Sequence, residues 1–204
     1  MQPELLIATS NPGKIKEIKA ILSPLNLKIT TPKDLALNLR VAETGGTYLE
    51  NALLKARAYY QAAGLPVLAD DSGLEVDALD GAPGLHSARF SPKENANDAD
   101  RRAYLLEQLS DKAQPWHAHF HCTAVLLSSS DNFTKKVGRC RGLIIPEERG
   151  NTGFGYDPVF YIPEYGATMA ELGPDIKNKI SHRAKALIAL NPVISKLLGI
   201  NELN

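Results

Sequence analysis

A chain of 204 residues with 44% hydrophobic content can bury one sizeable core, so the expectation is a single domain over residues 1–204 with room for two lobes. Its 23 basic residues balance 23 acidic ones, which excludes a global field drawing it to nucleic acid or an anionic membrane, and any phosphate site must be built locally. No apolar run approaches the roughly 20 residues of a membrane span, the start Met1-Gln2-Pro3-Glu4 lacks the basic region of a secretory signal, and the expected setting is cytoplasmic.

The opening run Glu4 to Thr9 reads as a short buried strand, and Ser10-Asn11-Pro12-Gly13 supplies turn residues before Ile15, Ile18, Ile21 and Leu22 repeat at helical spacing. Ser23-Pro24 stops that helix, and Leu27 to Thr30 predicts a second strand. Thr47 and Glu50 have capping-box spacing ahead of Leu49, Leu53, Leu54 and Ala58, which predicts a longer helix ending at Gly64-Leu65-Pro66. Val67-Leu68-Ala69 then reads as a strand, Asp70-Asp71-Ser72-Gly73 as an acidic turn, and Leu74 to Ala78 as a half-buried strand. Further on, Asn97–Leu109 predicts a helix, and Trp116–Leu127 and Thr134–Ile145 predict two long strands, plausible antiparallel neighbours. Gly150–Gly155 reads as loop, Pro158–Ile162 as a short strand, and Ser181–Leu198 as a final helix interrupted near Pro192. No repeat or linker divides the chain, and the mixture predicts an α/β (mixed α+β) fold with a central mixed sheet of long strands flanked by helices. Cys122 and Cys140 lack CxxC spacing and read as reduced, buried thiols.

Candidate chemistry gathers in four segments. Thr9-Ser10-Asn11-Pro12-Gly13-Lys14 offers hydroxyls, an amide and a lysine at a helix start, where unpaired amides and the helix dipole attract anions. It lacks the Walker A spacing, and an ordinary capped turn is the plainer reading. Glu43 and the pair Asp70-Asp71 form a sparse acidic set suited to Mg²⁺, which prefers one or two carboxylates with water and substrate phosphates. Adjacent residues on an extended segment point opposite ways, so one of Asp70 and Asp71 is structural unless a turn intervenes. Gly153-Phe154-Gly155-Tyr156-Asp157-Pro158 sets an aromatic between glycines, as a platform for a flat ligand or as a turn with a core aromatic. Lys177, Lys179, Ser181, His182, Arg183 and Lys185 crowd donors around a helix start, or form a solvated basic face.

Taken together, Thr9 to Lys14, Glu43-Thr44-Gly45 with Glu50-Asn51-Ala52, Ala69 to Leu74, Pro83 to Arg89, Phe154 to Pro158 and Ser181-His182-Arg183 resemble the Ham1/RdgB family of inosine/xanthosine triphosphate pyrophosphatases. The resemblance covers nearly the whole chain, in order. It implies a homodimer with two lobes and a nucleotide cleft between them, acting on purine nucleoside triphosphates such as ITP, dITP and XTP. It places Thr9, Ser10, Asn11, Pro12, Gly13 and Lys14 on the triphosphate, Glu43 and Asp71 at Mg²⁺, and Asp71 also as the base that activates water. It places Ser72, Phe154, Gly155, Tyr156, Asp157, Lys177, His182 and Arg183 around the nucleotide. Lys55, one helical turn past Asn51, is placed either to reach the phosphates or to stand exposed. His117, His119 and His121 alternate along one strand face and lie outside the resemblance, as a metal ladder or as solvent or interface histidines. A Maf-like nucleotide pyrophosphatase and a non-catalytic nucleotide-binding regulator are the competing readings.

Overall fold

The computed structural model describes residues 2–200; Met1 and residues 201–204, the ends of the expected 1–204 domain, lie outside the described residues. Seven strands hydrogen-bond in the order β2-β1-β3-β4-β5-β6-β7, with helices between them in the chain, so the mixed α/β class expected from the sequence holds. The chain divides into two compact units. The first comprises the described parts of Met1–Asp71, Cys122–Gly138 and Arg183–Asn204, and the second Ser72–His121 and Arg139–His182.

In the first unit, β1 (Glu4–Ile7) pairs in parallel with β2 (Lys28–Thr30) and with β3 (Val67–Val76). Helix α1 (Pro12–Leu22) begins earlier than its apolar spacing suggests, because Asn11 caps it, accepting from the Lys14 amide at 3.0 Å, and Pro12 fits the first turn, where no amide partner is needed. Helix α2 (Tyr48–Ala63) is capped by Thr47 and ends at Gly64 with φ +65°. The reciprocal half of its expected capping box is displaced by one residue: the Glu50 carboxylate accepts from the Gly46 amide at 2.7 Å. Leu5, Ile7 and Leu68 pack with Ile18 and Leu22 of α1 and Leu187 and Leu190 of the last helix, while Leu6, Val67 and Ala69 pack with Ala52, Ala56 and Tyr59 of α2. These two apolar clusters leave β3 buried on both faces, as a continuous apolar run in a parallel sheet should be.

In the second unit, α3 (Asp98–Leu109) starts with a full capping box between Asn97 and Asp100. Its Leu105 and Leu109 join Leu74, Val76, Trp116, Phe120, Tyr156 and Phe160 in one core. β5 (Phe133–Ile144) pairs antiparallel with β6 (Phe160–Ile162), and β6 with β7 (Ala167–Thr168). β4 (Trp116–Leu127) has the bounds its sequence pattern predicts.

Three expectations are corrected. Asp70 to Gly73 is no turn but the middle of β3, because the side chains of Asp70 and Asp71 find partners in place and turn propensity is overridden by them. The expected Pro158–Ile162 strand begins with a 3₁₀ turn, Asp157–Val159, as Pro158 favours. The final helix α5 (His182–Leu198) runs on through Pro192; the carbonyl that Pro192 cannot bond belongs to exposed Ile188, where water can serve it. Ser181 caps the end of a separate helix, α4 (Gly173–Ile180), that the basic run concealed.

Candidate active site

Within the first unit, the loop Thr9 to Lys14 is shaped by its own side chains: Thr9 accepts from the Asn11 amide at 3.2 Å, and Asn11 caps α1. Ser10, Asn11 and Pro12 are exposed, and Thr9, Gly13 and Lys14 half-buried. The loop borders a groove of about 890 Å³ lined also by Lys16, Lys33 and Arg40; Glu43 and Asp71 do not line it.

A second set gathers around Asp71. Asn51, buried on α2, accepts from the Gly45 amide at 2.8 Å and donates to Asp71 at 3.2 Å, so one amide ties the Glu43-Thr44-Gly45 segment to β3. Gly45 has to be glycine, since a Cβ there would stand 2.6 Å from Glu50 Cβ. One turn along α2, Lys55 Nζ lies 2.5 Å from Glu43 and 3.4 Å from Asp71. Two carboxylates therefore converge on one cation. Burial raises the Asp71 pKa, against the pull of Lys55 and Lys14. Burial also opposes the charge of Lys55, but Asp71, Asp70 and Glu43 outweigh it and raise its pKa. Of the two neighbouring aspartates, Asp70 is the one committed to structure. It is buried, and Lys14 and Arg183 overcome the desolvation that would neutralise it and hold its carboxyl far below the usual range. Next to it, the Cys122 thiol is pushed up to about 12 by burial and by the Asp70 charge, and both cysteines are free and buried, as expected.

Arg183 stands in a buried ion-pair network. Its side chain is 1% exposed, its guanidinium is bound by Asp70 at 3.1 Å and by Glu17, and it belongs to the first unit. Successive residues on a helix point about 100° apart, so His182 and Arg183 part company at the start of α5. His182 faces the second unit's core and stacks on Phe120 with centroids 4.7 Å apart.

In the second unit the Gly153–Asp157 loop is pinned from three directions. Asp157 accepts from the Phe154 amide at 2.8 Å and from buried Lys177 of α4, whose Nζ stands 4.7 Å over the Phe154 ring. Gly153 has φ +79°, and a Cβ there would lie 2.1 Å from the Asp157 carboxylate. From α3, Asp98 accepts from the Gly155 amide at 2.7 Å, and Arg102, paired with Glu148, donates to the Gly155 carbonyl at 2.9 Å. Burial works against the Asp98 charge, but the Gly155 amide and Arg101 outweigh it and lower its pKa. Tyr156 is buried and donates to the Ser87 carbonyl at 2.8 Å, which joins the Phe154 and Pro83 to Arg89 segments. Ser72 is half-buried on β3.

Glu17, Asn51, Asp98 and Phe120 escaped the sequence reading as site residues. Glu17 alone leaves a local trace, an acid three residues from Lys14 on the apolar face of α1. Of the strand histidines, His119 pairs with Glu75 at 3.0 Å, Arg139 donates to His121 at 3.3 Å, and His117 is exposed. Among the described residues no group of three or more His, Cys, Asp or Glu could hold a metal, so no histidine ladder forms.

Comparison with known proteins matches this arrangement to one family. The sequence pattern of the Ham1 family fits residues 5–193. A dITP/XTP pyrophosphatase of Geobacillus kaustophilus is 45% identical over 197 residues, 96% of each chain. One from Thermus thermophilus is 47% identical over 92% of this chain and 89% of its own. A HAM1 protein of Coxiella burnetii superposes with a TM-score of 0.85 at 40% identity, covering 95% of this chain and 99% of that one.

Proposed function

The chain belongs to the Ham1 family, and on that premise we propose that it hydrolyses non-canonical purine nucleoside triphosphates, ITP, dITP and XTP, to the monophosphate and pyrophosphate. The relatives named as dITP/XTP pyrophosphatases at about half identity and nearly full length support the activity. The observation that carries the chemistry is Asp71: a carboxylate with a raised pKa, oriented by Asn51 and standing beside Glu43 and Lys55. A raised pKa makes a carboxylate a stronger base at neutral pH.

In this reading Asp71 takes a proton from the water that attacks the α-phosphorus, and Asn51 keeps the accepting oxygen aimed. Lys14, with Thr9, Ser10, Asn11, Pro12 and Gly13, meets the triphosphate through its ammonium, the loop's polar groups and the start of α1. Lys55 adds charge near the same phosphates. Glu43 and Asp71 are the residues that would hold Mg²⁺; both already direct oxygens at one cation, Lys55, and hard oxygen donors in small number suit that ion. When bound, Mg²⁺ would neutralise charge on the pyrophosphate leaving group. Phe154, Gly155, Tyr156, Asp157, Lys177, His182, Arg183 and Ser72 serve the nucleoside end. Donors there favour the 6-oxygen of hypoxanthine and xanthine over the 6-amino group of adenine, because a buried donor left unpaired costs about 1–3 kcal/mol. A homodimer and a cytoplasmic setting come with the family resemblance.

Pyrophosphate release across a nucleotide panel tests the reading. ITP, dITP and XTP should turn over rapidly, GTP weakly because it shares the 6-oxygen, and ATP least. Water enriched in ¹⁸O should label the monophosphate, and stepwise orthophosphate in ³¹P spectra would refute attack at the α-phosphorus. Preference for modified pyrimidines would favour a Maf-like enzyme, and tight binding without turnover a regulator.

A further inference from the structure

Within the second unit, one side of α3 is turned onto a single residue of the aromatic loop. Asp98 accepts from the Gly155 amide at 2.7 Å, and Arg102, one helical turn further on, donates through Nη1 to the Gly155 carbonyl at 2.9 Å. These groups belong to the two successive peptide planes on either side of the Gly155 Cα. Two bonds from one helix therefore restrain both dihedral angles of a glycine, the residue type with the most conformational freedom. Arg102 directs Nε and Nη2 to Glu148, each 2.8 Å from a carboxylate oxygen, and Arg101 pairs with Asp98 on the same side of the helix. We infer that Arg102 and Asp98 are positioning residues that set the Phe154 ring for the purine, acting through Gly155 without touching the ligand. This assignment rests on the reading of Phe154 to Asp157 as the nucleoside end.

The turn needs a restraint from outside itself. After Gly155, Tyr156 is buried and fixed by its bond to the Ser87 carbonyl, and Asp157 is buried and paired with Lys177. Before it, Phe154 is only half-buried. Asp157 holds the Phe154 amide, which fixes where the turn starts but not its tip. The turn's own backbone bond, from the Asp157 amide to the Phe154 carbonyl, is long at 3.3 Å. Gly155 stands at φ +62°, and a Cβ there would meet nothing within 4 Å, so no neighbour wedges it in place. The direction of the Phe154 ring relative to the fixed Tyr156 then follows from the Gly155 dihedrals, which α3 sets. Aromatic contacts depend on ring offset and tilt, so a ring freed at Gly155 loses its fit to a purine before the fold is lost. Stability gives little reason for the clamp: Glu148 is 44% exposed against 12% for Arg102, and a pair with so open a partner contributes little. What the pair supplies is the aim of the Arg102 fork.

Two probes test it as competitive inhibitors of ITP hydrolysis at fixed free Mg²⁺: inosine monophosphate, which carries the base, and inorganic tripolyphosphate, which carries neither base nor sugar. Arg102→Ala should raise the inosine monophosphate inhibition constant and the KM for ITP by about tenfold, the size of a lost hydrogen bond to a charged group, while kcat and the tripolyphosphate constant stay within about twofold of wild type. Asp98→Ala should do the same. Asp98→Asn keeps an acceptor for the Gly155 amide and should recover most of the affinity. Arg102→Lys keeps the charge and loses the fork; it should recover only part, and it carries the test if the alanine variants do not fold. Arg102→Ala should add little on top of Phe154→Leu, as expected of residues acting through one another. A merely structural role would lower the melting temperature and the active fraction while leaving both constants of the folded enzyme alone, and a general distortion would weaken both probes together; either result overturns the inference. If Phe154→Leu leaves inosine monophosphate inhibition unchanged, the nucleoside role of the loop fails first; if Phe154→Leu weakens it and none of the α3 variants does, the positioning inference fails alone.

Discussion

The two units are built around their candidate site segments in two different ways. In the first unit, polar and charged side chains from α1, α2 and α5 are gathered by the adjacent aspartates of β3, Asp70 holding Lys14 and Arg183, and Asp71 holding Asn51 and Lys55. In the second, backbone is gathered: Asp157 and Asp98 fix the amides of Phe154 and Gly155, and glycine at Gly153 gives Asp157 the space to do so. Charge is the working material in one unit and shape in the other. Substitutions in the two units should therefore fail differently, the first in catalysis and phosphate affinity, the second in stability and in the geometry of the loop.

The largest effect is expected at Asp71. Asp71→Asn preserves volume and an acceptor for Asn51, and Lys55 keeps Glu43 as a partner at 2.5 Å, so the fold should survive with a near-native melting temperature. Turnover of ITP should fall by about 10²-fold to 10⁴-fold from loss of the base, with loss of a metal ligand adding to it. A folded variant with near-native kcat would move the base elsewhere and break the contrast.

Next comes Asp157→Ala. It removes the carboxylate that pairs with buried Lys177 and accepts from the Phe154 amide. Breaking a buried pair from one side costs about 3–5 kcal/mol, so the urea midpoint should drop well below that of Asp71→Asn, and what activity remains should show a raised KM for ITP with unchanged tripolyphosphate inhibition. An Asp157→Ala protein as stable as wild type would mean that the loop is not held by its carboxylate.

How far the sequence foretold these two constructions differs as well. Periodicity and capping residues located α1, α2, α3 and β4 because those signals are local, and the order of the short motifs pointed to the family. The motif around Asp70 and Asp71 was legible as acidic, and the alternation of an extended chain already required one of the two to be structural. Which one depends on Lys14, Arg183 and Asn51, brought from 56, 113 and 20 residues away, and no local pattern records that. The same distance hid the ion pairs of Arg183: beside His182 in sequence it reads as part of one donor cluster, and packing gives the two side chains different partners. Helix α4 was hidden for a different reason, since only two of its eight residues, Ile176 and Ile180, are large and apolar and its basic side chains resemble a solvated run.

The smallest effect belongs to a residue outside both constructions. His121 of β4 is buried, and burial lowers its pKa; Arg139 and His119 push the same way, and Glu75 opposes them. The bond from Arg139 Nε to His121 Nδ1 at 3.3 Å requires that nitrogen to be unprotonated, which agrees with a neutral ring. The sign of the pH dependence follows. Above about 6.5, the ordinary histidine value, the ring is neutral in both folded and unfolded chains and contributes no slope. As pH falls below that value the unfolded chain takes up a proton that the folded chain still refuses, so stability declines until the lower folded pKa is reached. Urea midpoints measured from pH 8 down to pH 5.5 should therefore fall more steeply for wild type than for His121→Gln, which cannot take up that proton. Parallel curves for the two proteins would assign the acid sensitivity to other groups, and would leave His121 as a packing residue whose charge state has no bearing on the second unit.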